Sequence, residues 1–425
     1  MIISIICVCF AILIFLELCM MLIVNYFRND FQWLITIKDE CPDLDKKALN
    51  KFFDNGYDSN LGWVRKPNTS GVEKSGHVKT SYTIDAMGSR TNPAAINLEN
   101  VIASFGDSYT FCRQVNDFET WQCYLTQQIN QGVLNFGVGN YGIDQALLRY
   151  EQTKLPSSVK IVLLAFVPET IARIQSYWKH YWEFGNTFAF KPRFLLNKNQ
   201  LVFVPNIMQT KADFFSLKEK LAPIQLNDSF YKSKFKSLQF RFPYILSFFR
   251  NPIRQLKLLY FLFIRHFARF FKITNKIIEN KPFSLIMDYN IKQAHQMYEN
   301  KQVCALFKDI LLKFKNEAKK CGHKPAIMVL PQLIDLKMEK SNGDMAYTKF
   351  FQEINDIISV IDFTEIFHNH NRQQLFTNDV YGGHFSPEGN QLVANYLKKQ
   401  LLYLFPEEFK GVTKKDENYI SKGNK

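Results

Sequence analysis

The chain has few of the features that mark disulfide-stapled, metal-binding or nucleic-acid-binding proteins. It has eight cysteines in 425 residues, three of them (Cys7, Cys9 and Cys19) inside the first apolar stretch. The other five, Cys41, Cys112, Cys123, Cys304 and Cys321, are odd in number, widely spread and without a C-x-x-C pair. That spacing supports neither a disulfide framework nor a zinc knuckle. His368-Asn369-His370 has i,i+2 spacing but no accompanying carboxylate motif, so no metal is expected there. No cofactor fingerprint and no internal repeat appears. The G-x-S-x-G elbow is also missing, which removes the best signature of the α/β-hydrolases. The net charge of +14 comes without any recognised nucleic-acid motif, and no nucleic-acid partner is expected.

From Ile2 to Val24 only Ser4 and Glu17 interrupt an apolar run. As a helix it would be about 34 Å long, enough for a hydrocarbon core of about 30 Å. It lacks a basic leading region and a small-x-small cleavage pattern, so residues 1–27 read as an uncleaved single-pass anchor. Arg28 and Lys38 follow it, a thin positive-inside bias towards a cytoplasmic body that leaves the side of the membrane open. Glu17, an ionisable group in an apolar run, is either a functional carboxylate or one paired within a helix bundle.

The charge is concentrated. Residues 210–282 hold 15 Lys or Arg against 4 Asp or Glu, a net +11 of the chain's +14. Residues 240–250 and 258–271 interleave bulky apolar groups with cations, the composition of helices that lie at an anionic bilayer surface. A basic helical insertion packed on the body is the alternative.

Organisation follows from periodicity. Residues 28–95 read as a linker with a small β-containing extension around Thr80–Asp85. From 96 to about 408, short apolar strands alternate with helical patterns, interrupted at about 172–290 by the basic insertion. Such alternation predicts an α/β domain with a parallel sheet covered on both faces, with functional loops at the carboxyl ends of the strands. The lysine-rich tail after 408 is expected to be disordered.

The chemistry-bearing residues lie at those strand ends. Val101-Ile102-Ala103-Ser104-Phe105-Gly106 is a buried-strand run, and Asp107 and Ser108 follow at once. A serine on a tight turn into a helix sits near free backbone N–H groups, where acyl transfer needs its nucleophile. Asn135-Phe136-Gly137-Val138-Gly139-Asn140 follows the next strand and allows a backbone N–H to face an oxyanion. Gly383-His384-Phe385-Ser386-Pro387-Glu388-Gly389-Asn390 supplies a histidine in a turn before a helix. Cys112 either lines the pocket or fills core. Trp178-Lys179-His180-Tyr181 and Lys191-Pro192-Arg193-Phe194 are either a sugar- or anion-binding wall or a packed hairpin.

These three blocks, in this order, resemble those of the SGNH (GDSL-type) hydrolases, over about residues 96–170 and 290–405. The stretch from Ser104 to Gln145 is further similar to membrane-anchored bacterial members linked to polysaccharide modification. The resemblance implies a three-layer α/β/α fold with a flavodoxin-like parallel sheet. It implies Ser108 as nucleophile and backbone donor, the Gly137 N–H in the oxyanion hole, and His384 as base. Two departures stand out. Glu169 falls near the place of the family's oxyanion-donating Asn, so either the Asn140 side chain is the third donor or the hole is weaker. Tyr381 occupies the usual place of the acid before the histidine, so either Asp379, five residues before His384, is the acid or a Ser–His dyad works with a backbone carbonyl orienting the imidazole. Asp107, Glu169 and Tyr381 are expected to contact substrate. The expected activity is removal of an O-acyl group, acetyl above all, from a carbohydrate or small ester. The alternatives are O-acyl transfer to polysaccharide at the same site, a lipid esterase, and a non-catalytic glycan- or lipid-binding scaffold.

Overall fold

Five apolar runs become the strands of one parallel sheet in the computed structural model: β1 (Asn100–Gly106), β2 (Gly132–Gly137), β3 (Ile161–Phe166), β4 (Lys324–Val329) and β5 (Val360–Asp362). The structure describes residues 2–75, 78–339, 344–367, 370, 372–377 and 383–409. The sheet order is β5–β4–β3–β1–β2. Read from the other edge this is 2-1-3-4-5, the flavodoxin-like order, whose switch point lies between β1 and β3. Phe105 of β1 pairs with Phe136 of β2 on one side and Leu164 of β3 on the other.

All residues of β2 and β3 are buried, as expected of strands covered on both faces. On one face Leu163, Ala165 and Met328 meet α3 (Trp121–Ile129) and α6 (Pro387–Leu404) through Leu125, Val393 and Leu397. On the other, Phe105 and Phe136 stack at 4.9 Å, and Phe105 meets Tyr150 of α4 (Ile143–Gln152) at 5.4 Å. Phe166 meets Phe307 of α5 (Lys301–Lys320) at 5.7 Å. Three layers result, α/β/α.

The chain divides into two compact units. The sheet unit comprises Asn55–Ile174, Pro192–Pro205 and Ile291–Lys425, and includes the antiparallel hairpins 69–84 and 193–204. The other comprises Met1–Asp54, Gln175–Lys191 and Asn206–Asn290. This differs from the expected boundaries. Residues 28–54 are no linker: Phe31, Leu34 and Ile35 are buried, and the Ile35 carbonyl accepts from the Phe240 N–H at 2.8 Å. The insertion is also split, its 193–204 hairpin belonging to the sheet unit. The reason is apolar surface: Leu34 and Phe240 need each other to leave water, and their sequence separation hid that need.

The first helix, α1 (Ile2–Asp30), is longer than the apolar run and is long and apolar enough to cross a membrane. Its first half is exposed, but Val24 and Phe27 are buried against Leu258 and Leu262. The tail from 410 onward lies outside the described residues.

Candidate active site

The position of Ser108 begins with two glycines. A Cβ on Gly106 would stand 1.7 Å from the Ala165 carbonyl oxygen, and one on Gly137 would stand 2.2 Å from the Phe111 nitrogen. Their bareness lets a one-turn helix, α2 (Ser108–Phe111), sit directly on the ends of β1 and β2. Asp107 caps α2, its carboxylate accepting from the Tyr109 N–H at 2.8 Å and from the Val167 N–H at 2.9 Å. One carboxylate thus ties the nucleophile's turn to the end of β3. Ser108, the first residue of α2, has an N–H without an intrahelical acceptor and keeps 8% of its surface open to solvent.

Ser108 and His384, 276 positions apart, meet: His384 Nε2 lies 2.9 Å from Ser108 Oγ. The tautomer follows from the other side of the ring. His384 Nδ1 lies 3.2 Å from Gln114 Oε1, and the same oxygen accepts the His384 backbone N–H at 3.1 Å. A backbone N–H can only donate, so the amide must present its oxygen here. Nδ1 therefore carries the proton, and Nε2 offers its lone pair to the serine hydroxyl, the arrangement a general base requires. The His384 ring rests against Tyr109 at 4.8 Å, and the Tyr109 hydroxyl donates to the Gly383 carbonyl at 2.8 Å. Burial, then the cations Arg113 and Arg173, hold the His384 pKa well below its ordinary value. The ring is therefore neutral at physiological pH.

Sequence reasoning did not find Gln114. It sits six residues after the nucleophile in a left-handed conformation (φ 70°), with no motif to mark it. Its turn is held from two directions. Arg90, 2% exposed, pairs with Asp117 at 2.8 Å and donates to the carbonyls of Phe111, Cys112 and Val115. Glu73, from the 69–84 hairpin, accepts from the Gln114 N–H at 3.1 Å and pairs with Arg113.

The remaining expectations divide. Asp379 and Tyr381 lie outside the described residues, as do His368 and Asn369; the partner that Nδ1 meets is Gln114. Asp107 and Glu169 were expected at the substrate, and this is corrected: they are 1% and 2% exposed and both pair with Arg173, at 3.4 and 2.9 Å. Burial raises the Asp107 pKa, partly opposed by Arg173. The Gly137 N–H, expected in the oxyanion hole, instead donates to Asn135 Oδ1 at 3.0 Å. The strand-end amide has a local acceptor that its own sequence supplies. The turn that follows has amides left over. Asn140 is exposed with φ 68°, and among the described residues the N–H groups of Gly139 and Asn140 meet no acceptor. The Cys112 thiol is buried and pushed up to about 12, an inert core group. Trp178, Lys179, His180 and Tyr181 are at most 3% exposed, and Lys191 and Arg193 are equally buried, so they are packed residues and no binding wall.

The chain matches no family profile and no curated protein. Among solved structures it is similar to a protein from Desulfitobacterium hafniense DCB-2 described as lipolytic and of the G-D-S-L family. The identity is 12% and the TM-score 0.31, over 71% of this chain and 99% of that one. So distant a likeness leaves the reaction to be read from the chain's own geometry.

Proposed function

We propose that the chain is a serine–histidine ester hydrolase of the SGNH (GDSL) type that removes an O-acyl group, acetyl on a carbohydrate in particular. The observation that carries this is the 2.9 Å contact between His384 Nε2 and Ser108 Oγ, with the opposite ring nitrogen held as donor. In the reaction the Ser108 hydroxyl gives its proton to Nε2 as Oγ attacks the ester carbonyl. The tetrahedral oxyanion takes hydrogen bonds from the Ser108 N–H and from the 139–140 turn. The imidazolium returns the proton to the departing alcohol, leaving an acyl-serine. Water activated by the same nitrogen then releases the acid. A sugar hydroxyl in place of that water would make the chain an O-acyltransferase. Ser108, with 8% of its surface open to solvent, suits a small ester.

The test is labelling by a serine-reactive fluorophosphonate together with turnover of p-nitrophenyl acetate. Labelling of wild type at Ser108, absent from Ser108→Ala, is expected. Turnover equal in wild type, Ser108→Ala and His384→Ala would overturn the reading in favour of a binding scaffold. Partition of the acyl group between water and added oligosaccharide separates hydrolase from transferase.

A further inference from the structure

The unit that contains α1 carries an apolar surface that its own fold does not use. Its 252–270 helix (Pro252–Phe270) has two apolar faces. One, with Leu258, Leu259 and Leu262, is buried in a cluster with Val24, Phe27 and Phe31 of the N-terminal segment. The other is exposed: Ile253 68%, Leu256 63%, Tyr260 58%, Phe263 38%, Phe267 56% and Phe270 72%. The spacing 253, 256, 260, 263, 267, 270 is one stripe of a helix, about 26 Å long at 1.5 Å per residue. The preceding 244–249 helix and its entry add Phe242, Leu246 and Phe249, each more than 60% exposed. A protein that lives in water rarely leaves so much contiguous apolar area uncovered.

What covers it follows from where it is attached. The 244–249 helix begins beside Glu17, which accepts the N–H groups of Tyr244 and of Ile245, the latter at 3.0 Å. The 252–270 helix ends beside Asp30, which pairs with Arg265 and Arg269. Between these points Phe27 packs edge-on to Phe263 at 4.7 Å, and the Tyr26 hydroxyl meets His266 Nδ1 at 3.0 Å. Glu17 lies 13 residues before Asp30, about 20 Å along a helix axis. If α1 crosses a bilayer, Glu17 is within its hydrocarbon, and so is the helix start fastened to it. Backbone N–H groups at that depth must find an acceptor inside the protein. Glu17 supplies one, which accounts for a carboxylate in an otherwise apolar run.

We infer that residues 242–270 form a helical hairpin embedded in a bilayer beside α1, with its outer stripe against lipid acyl chains. Its shallow end is the cluster of Asp30, Arg265 and Arg269, where the headgroups begin. Exposed Lys272 and Lys276 follow the stripe at that end and suit anionic headgroups. The same packing argues that α1 is retained, because its removal would strip Val24 and Phe27 from the unit's core. The inference is independent of the reaction at Ser108.

The full chain is reconstituted in vesicles of phosphatidylcholine and phosphatidylglycerol (three to one) with a trace of lipid bearing a diazirine at the acyl terminus. After photolysis, adducts are mapped by mass spectrometry, with hydroxyl-radical oxidation read in parallel. The expected result is lipid adducts on both α1 and the 244–270 peptides. Oxidation of Leu256, Tyr260 and Phe267 should be lower by about tenfold than that of the exposed sheet-unit residues Phe203 and Tyr403. Adducts confined to α1, with the stripe oxidised as readily as Phe203, would place the stripe in water and overturn the inference. Cross-links joining stripes of two copies, without lipid adducts, would overturn it in favour of self-association. Glu17→Leu should lose adducts at 244–249 while keeping those on α1. Unchanged adducts at 244–249 would remove Glu17 from the account.

Discussion

In the proposed reaction His384 is a base whose orienting group is an amide, and that has consequences a carboxylate would not have. Only the neutral ring can take the serine proton, and burial with Arg113 and Arg173 keeps its pKa well below 6.5. In wild type kcat/KM is therefore expected to stay flat as pH falls through 6.5, declining only at lower pH. A decline centred at or above 6.5 would contradict the geometry. Gln114→Glu places an anion beside Nδ1, favours the imidazolium and should move that acid limb upward. Gln114→Ala leaves the ring unoriented and should lower kcat by about tenfold to a hundredfold with little change in the limb's direction. His384→Ala removes the base itself and should cost about 10²–10⁴-fold. The same low pKa bears on stability. Below about 6.5 the unfolded chain binds a proton that the folded ring refuses, so stability falls as pH drops through that value. Hydrogen exchange of peptides around 384 at pH 7 and pH 5.5 would register it.

At the scale of elements, the candidate active site rests on the approach of α2 to the strand ends. Asp107 serves two N–H groups and Arg173 at once, while wholly buried. Asp107→Ala removes both acceptors and leaves a buried guanidinium short of charge, a change expected to cost about 3–5 kcal/mol. Asp107→Asn, which can still accept, should cost less; thermal unfolding followed through the sheet unit's aromatics would rank them. Equal losses would mean that the cap matters and the charge does not. Gly137→Ala pushes a methyl towards the Phe111 nitrogen and should displace α2. Overpacking of this kind costs about 1–3 kcal/mol, and turnover should fall further than stability does because Ser108 moves. Alternating runs from Asn100 onward announced this sheet correctly, since buried strands and the glycines that end the first two are local signals. The hairpin 69–84 was visible as β structure, but nothing in it said that Glu73 would hold the Gln114 turn.

Across the whole molecule the chain is partitioned by its apolar surface. Residues 1–54 and most of the insertion share one unit because Phe27, Phe31, Leu34, Phe240 and Leu262 close a common core. Phe27→Ala should loosen that unit by about 3–5 kcal/mol, seen as faster hydrogen exchange in the 252–290 peptides. Membrane retention should persist, because one phenylalanine adds little to the hydropathy of α1. Exchange unchanged there would mean that the N-terminal helix is merely tethered and not built in. The sequence by itself determined the α/β class, the sheet's first strand β1, the apolar helix, the serine at a strand end and the histidine before a helix. All of these are written in contiguous residues, where period, glycine placement and hydropathy act locally. Only the tertiary structure decided that Gln114 stands behind His384, that Arg173 claims both Asp107 and Glu169, and that Glu17 caps a helix start more than two hundred residues away. Those pairings are set by which buried polar groups must find one another once water has left, and no local pattern encodes that choice.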